Sequence, residues 1–173
     1  ATTATSSGPI FTIGGTGDGS GAGSGNISIA NTGTIYQPVL VSNSGGSTSV
    51  DNTGVIGVSG STSSAPIFTI SGQGDGTGSG SGDISFGNAS GGIIDQPVML
   101  SNSGGTTTIS NSGIIGVSSA TSSTPIFTIG GTGDGSGAGA GDISFAKAAD
   151  LSGPVRIQNE ARPQGRTTAK NAL

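Results

Sequence analysis

Three near-copies of one stretch recur along the chain: "PIFTIGGTGDGSGAGSG" from Pro9, "PIFTISGQGDGTGSGSG" from Pro66 and "PIFTIGGTGDGSGAGAG" from Pro125. The starts lie 57 and 59 residues apart, and Asp18, Asp75 and Asp134 keep one place in "GDG". Ile27, Ile84 and Ile143 do the same in "NISI", "DISF" and "DISF". A fixed internal period of this size signals a repeat architecture, in which each unit buries its apolar face only against its neighbours. The repeats run over 9–65, 66–124 and, in part, 125–158, within one repetitive domain spanning 1–173. Residues 159–173 read as a basic C-terminal tail or cap. The second unit is two residues longer, with "GNASGGIID" in place of "ANTGTIY". Such an insertion belongs in a turn, because a one-residue slip inside a strand would exchange its two faces.

Each unit divides again. Residues 9–37 and 38–65 both open on proline and a few β-formers and then reach an "N-T-G-[TV]-I" segment. A half-unit of about 28 residues has the scale of one turn of a β-solenoid. Short alternating runs such as Ile27-Ser28-Ile29 and Val39-Leu40-Val41-Ser42 predict strands of about 3 to 5 residues. Position 40 is Leu, 99 is Met and 156 is Arg, while Val39, Val98, Val155, Val41, Leu100 and Ile157 stay aliphatic. The aliphatic positions are expected inside and the variable one outside, with Ile29, Phe86 and Phe145 as a further inward stack. In "IFTI" two phases are open, Ile10 with Thr12 or Phe11 with Ile13. The fold class is therefore all-β, a parallel β-solenoid (β-helix) of about five to six coils, two coils per repeat, with a polar, basic C-terminal segment.

Asparagine and glycine mark the corners. "N-[TS]-G" occurs at Asn31, Asn43, Asn52, Asn102 and Asn111, and "NASGG" at Asn88 is a longer variant. Both residue types accept positive φ, which makes these six asparagines candidate structural turn residues. Stacked corners would also set their amides above one another, able to pass hydrogen bonds along the stack. No 3.6-residue period appears before residue 146, and "AKAADL" (146–151) reads as one helical turn.

Composition agrees with a thin core. With 36 Gly and only 3% aromatic residues the chain cannot fill a thick globular interior, but a solenoid needs only a narrow stack of aliphatics. Charged residues make up 8%, too few for the charge-expanded class of disordered proteins. No apolar run approaches the length needed to cross a bilayer, and residues 1–20 lack the pattern of a signal peptide, so the chain reads as soluble and mature, with no membrane insertion. Recurring "I-x-N-[TS]-G-x-I" segments among Gly/Ser/Thr-rich strands, over residues 9 to about 145, resemble the passenger domains of bacterial autotransporters and filamentous haemagglutinin-type adhesins. That resemblance implies a right-handed β-helix at the cell surface or outside the cell, in a bacterium. It also implies partners among cell-surface or extracellular matrix components, and an adhesive, fibre- or biofilm-forming role. The chain departs from the family in being short and in lacking a translocator barrel.

Catalytic chemistry finds little footing. The chain has no His and no Cys, so no imidazole base for a serine and no thiolate. Paired carboxylates would come from Asp75 with Asp83 or Asp134 with Asp142, but the first unit has Asn26 at the second place. The expectation is a non-enzymatic protein without a required cofactor. Calcium at Asp18, Asp75 and Asp134 is the weak metal candidate, since one carboxylate per loop supplies few oxygen ligands. A net charge of −4 and a single Tyr argue against nucleic acid. Rows of Thr and Ser, among them Thr12, Ser28, Thr48, Thr69, Thr107 and Thr128, would suit an ice- or glycan-binding face.

Charge is divided along the chain. All five basic residues, Lys147, Arg156, Arg162, Arg166 and Lys170, stand in the last 27 positions, and seven of nine acids precede them. The basic end is expected to cap the solenoid's strand edges or to meet the acidic body of a second copy, head to tail, as the self-association surface of a filament.

Overall fold

The computed structural model describes residues 11–15, 25–43, 46–57, 65–72, 83–102, 105–116, 127–131, 142–147, 151–152, 155–159 and 167–171. The Gly/Asp tracts with Asp18, Asp75 and Asp134, together with Arg162 and Arg166, lie outside these residues.

The chain lays strands down in turn on three sheets. β1 (Phe11–Gly15), β2 (Ile27–Asn31) and β3 (Thr34–Ile35) are followed by β4 (Val39–Asn43), β5 (Thr48–Asn52) and β6 (Val55–Ile56). Next come β7 (Phe68–Gly72), β8 (Ile84–Asn88) and β9 (Ile93–Ile94), then β10 (Val98–Asn102), β11 (Thr107–Asn111) and β12 (Ile114–Gly116). β13 (Phe127–Gly131), β14 (Ile143–Lys147), β15 (Leu151–Ser152), β16 (Val155–Asn159) and β17 (Thr167–Asn171) complete the order. The first sheet runs β1-β4-β7-β10-β13-β16, the second β2-β5-β8-β11-β14-β17 and the third β3-β6-β9-β12-β15. Every pairing is parallel and joins a strand to the one three further along the chain. This is the parallel β-solenoid that the repeat implied.

Register turns sequence positions into columns. In the first sheet Phe11, Val39, Phe68, Val98, Phe127 and Val155 stand one above another, so each 57–59-residue repeat contributes two rungs. Val41, Ile70, Leu100 and Ile129 form a second inward column two residues on. Phe68 and Ile70 are fully buried while Thr69 between them is half exposed, and in the first unit Ile13 is half-buried beside exposed Thr12, which settles the phase of "IFTI" for the second and fourth residues of the motif. Ile67 is buried as well, because it stands at the corner before the strand, where alternation has not begun. Leu40, Met99 and Arg156 point out, as the variable column requires. In the second sheet Val50, Phe86, Ile109 and Phe145 form the inward stack, with Ile29 half-buried at its end.

Two expectations are overturned. Thr48 and Thr107 do not face solvent: each is buried, in the column Ile27-Thr48-Ile84-Thr107-Ile143. Strand alternation puts 48, 50 and 52 on one side, and the corner amide of Asn43 donates to the Thr48 hydroxyl at 3.2 Å, as Asn102 does to Thr107 at 3.2 Å. The helical turn at 146–151 is absent from its described part, where Ala146 and Lys147 end β14 and Leu151 opens β15. Partners on the neighbouring rung, Ser110, Asn111 and Ile115, override alanine's helical preference. Within the basic segment, Thr167–Asn171 is a strand hydrogen-bonded to β14.

Inside, rings from two sheets meet each other. Phe68 and Phe86, on consecutive strands of one turn, meet edge to face with centroids 6.0 Å apart and planes at 80°. Such contacts add about 0.5–1.5 kcal/mol to the burial itself. Phe86→Ala is expected to cost about 3–5 kcal/mol in urea denaturation, whereas Leu40→Ala, on the outer face, stays within about 0.5 kcal/mol of the parent.

Candidate functional site: the asparagine ladder and the outer faces

Where the second sheet turns into the third, Asn31, Asn52, Asn88 and Asn111 occupy one column, all buried. Asn31 Nδ2 donates to Asn52 Oδ1 at 2.7 Å, Asn52 Nδ2 to Asn88 Oδ1 at 2.8 Å, and Asn88 Nδ2 to Asn111 Oδ1 at 2.8 Å. The second amide hydrogen holds the chain's own turn, Asn52 donating to the Gly54 carbonyl at 3.1 Å and Asn88 to the Gly92 carbonyl at 3.2 Å. A buried primary amide is costly unless both its donors and its acceptor are engaged. Stacking at the rung spacing of about 4.8 Å meets that demand with identical residues.

The turn explanation from sequence is therefore corrected in its mechanism. Among the described residues no residue other than glycine has positive φ, so the asparagines are present for their amides and not for left-handed backbone. The described glycines of "N-[TS]-G", Gly33, Gly54 and Gly113, are likewise absent from the positive-φ positions, which among the described residues are Gly25, Gly57, Gly91 and Gly116. Within the stack the reason is close approach: a Cβ on Gly54 would fall onto the carbonyl oxygen of Gly33 on the rung before, and one on Gly113 onto that of Gly92, whereas Gly33 on the first rung has open space. Positive φ is used instead at Gly91, inside the longer "NASGG" corner. That corner absorbs the two extra residues without moving Asn88 from the ladder.

Asn43 and Asn102 serve another corner, between the first and second sheets. Asn43 Oδ1 accepts from the Gly46 amide at 3.2 Å and Asn102 Oδ1 from the Gly105 amide at 3.0 Å. Gly72 stands between them in register, so these two do not touch and each closes its own turn. The carboxylate considered for catalysis has a similar task. Asp83 Oδ1 accepts from the Thr106 amide at 2.7 Å, and Asn26 Oδ1 accepts from the Ser47 amide at 2.9 Å. What the position demands is an oxygen acceptor for the next rung, which Asn and Asp both supply. Sequence reading missed this clasp, though the exchange of Asn26 for Asp83 was its signal.

Among the described residues, Asn111 Nδ2 is the buried side-chain atom left without a partner. The ladder's next register place belongs to Lys147, and the one after that to Asn171. An asparagine column interrupted by lysine loses its acceptor at that step.

The outer faces differ from one another. On the second sheet Ser28, Ser49, Ser85, Thr108, Ser144 and Thr168 form an unbroken hydroxyl column. On the first sheet Thr12, Thr69 and Thr128 alternate with Leu40, Met99 and Arg156. On the third, Thr34, Val55, Ile93 and Ile114 make a mostly apolar stripe, with Ile114 50% exposed and Tyr36 nearby 64% exposed. Of the basic residues proposed for self-association, Arg156 is exposed on β16, and Lys147 and Lys170 hold adjacent register places on β14 and β17. Asn88 also heads an N-x-[ST] sequon, but its side chain is buried in the ladder.

Burial raises the pKa of Asp95, at the corner after β9. A raised carboxyl pKa means that the folded state holds its proton to higher pH than the unfolded state does. Stability therefore falls as pH rises from the unfolded value near 3.8 through the folded one. Asp95→Asn is expected to flatten that fall in melting-temperature profiles between acid and neutral pH.

Comparison with protein-family models, with curated proteins and with solved structures finds no match. Two substitutions test the ladder. Asn88→Ala removes a donor and an acceptor in mid-column and is expected to lower stability by about 1–3 kcal/mol, while Lys147→Asn gives Asn111 its acceptor and raises it, by less. Urea denaturation of both variants reads the two signs.

Proposed function

We propose that this chain is a non-enzymatic structural protein whose solenoid continues end to end into a surface fibre, matrix filament or adhesin stalk outside the cell. The observation that carries this is the state of the sheet edges. Among the described strands, β1, β2 and β3 at one end, and β15, β16 and β17 at the other, pair on one side only. A strand at the end of a sheet order presents an edge to which another chain can add a strand. A head-to-tail contact of this kind does not close on itself and builds open filaments. Five basic residues in the last 27 positions, with the acids mostly before them, favour the head-to-tail encounter over like-end contacts. The extracellular setting is supported by the "I-x-N-[TS]-G-x-I" resemblance alone.

A second reading, a glycan- or ice-binding module, is supported by the hydroxyl column from Ser28 to Thr168, whose regular rungs would order water or sugar hydroxyls. Calcium at Asp18, Asp75 and Asp134 rests on sequence. Negative-stain electron microscopy at low and high salt, with a chain ending at Asp150 alongside, tests the first reading. Uniform filaments are expected from the full chain and short rods from the shortened one. Single rods from both would reject self-assembly, and thermal-hysteresis and glycan-binding assays would then decide the second reading.

A further inference from the structure

The solenoid's rungs are of two kinds. In the first sheet one register column alternates Phe11, Val39, Phe68, Val98, Phe127, Val155. The corner column beside it alternates Gly15, Asn43, Gly72, Asn102, Gly131, Asn159 over the same rungs. In the second sheet Ile27, Thr48, Ile84, Thr107, Ile143 and Thr167 alternate in step. A Phe/Gly/Ile rung thus always lies against a Val/Asn/Thr rung. The physical reason is visible at Asn43, whose amide fills the corner of its own turn and bonds the Thr48 hydroxyl, while glycines stand in register above and below it. Two Val/Asn/Thr rungs in contact would leave no glycine in register beside the corner amide that fills its own turn.

The described strands begin on a Phe/Gly/Ile rung, β1 and β2, and finish on a Val/Asn/Thr rung, β16 and β17. We infer that the partner of this end is a second copy of the chain, docked in one register: its β1 on β16 and its β2 on β17. The contact reproduces one made twice already within the chain, at β4 with β7 and β5 with β8, and at β10 with β13 and β11 with β14. It brings Val155 to Phe11, Asn159 to Gly15 and Thr167 to Ile27. It also places Asn171 next to Asn31, in the direction the ladder already runs, since Asn31 Oδ1 is the acceptor at that end. Lys170 stands one rung from Ala30 and two rungs, about 10 Å, from Asp51 of the second copy, which adds a charge term of the right sign. Head-to-head or tail-to-tail contacts would pair like rungs with like. Among the described strands the third sheet ends at β15, so the described part of the joint is made by the first two sheets.

This inference rests on the end-to-end reading above, and the chain's lack of cysteine allows a test that separates the two. Ser28→Cys and Thr168→Cys are both exposed and would become rung neighbours, about 4.8 Å apart, across the joint. Thr12→Cys, exposed on the first sheet, is the control for a joint rotated by one face. Equimolar mixtures of single-cysteine chains are treated with a short thiol-to-thiol crosslinker and followed by gel electrophoresis and electron microscopy. The expected result is filaments with covalent dimers in the 28/168 mixture and monomer alone in the 12/168 mixture. Filaments that crosslink through 12/168, or through neither pair, would overturn the register while leaving self-association standing. Monomeric rods with no crosslink in either mixture would overturn both.

Discussion

Everything in this fold follows from parallel, in-register pairing along one axis. Once a strand pairs with the strand three places further on, each residue meets its counterpart on the next rung at about 4.8 Å. The side chain must then be compatible with that neighbour as well as with its own turn. Aliphatics meet this by stacking into a narrow core, and outward serines and threonines by staying small. Asparagine meets it because its amide carries both a donor and an acceptor, so a column of asparagines satisfies itself.

That constraint explains a composition that would be poor for a globular domain. Inside the solenoid Phe68 and Phe86 meet edge to face, and stacked aliphatics fill most of the rest. Glycine enters for two reasons. At the ladder corners, Gly54 and Gly113 are demanded by carbonyl oxygens of the adjoining rung, which leave no room for a Cβ. At Gly91 the backbone itself requires positive φ. The "I-x-N-[TS]-G-x-I" pattern is what this corner needs physically, so any solenoid packed in this way would be drawn to it. It argues for architecture more strongly than for descent.

The same periodicity links fold to proposed role. Alternation of two rung types gives the solenoid a polarity and a phase, and the described strands begin on one rung type and end on the other. A protein built by repeating one contact along an axis has, at its end, the surface that it uses internally. The departures from regularity are then informative: Lys147 in the asparagine column leaves Asn111 with an unpaired donor, a local cost inside an otherwise self-satisfied stack.

Much was legible without coordinates. The spacing of Pro9, Pro66 and Pro125 determined the repeat, the half-unit determined the two-coil division, and the exchange of Leu40 for Met99 and Arg156 marked the outward column. These are visible in sequence because strand alternation and repeat period are local properties of the chain. What sequence left open or misplaced depended on neighbours one rung away. The phase of "IFTI", the burial of Thr48 and Thr107, the strand at Ala146 and Lys147, and the clasp by Asp83 were all decided by which residue lies above or below. The asparagines show the division most plainly: their positions at corners were fixed by the chain, but their burial, and the passing of one amide's hydrogen to the next, exist only when four turns are stacked.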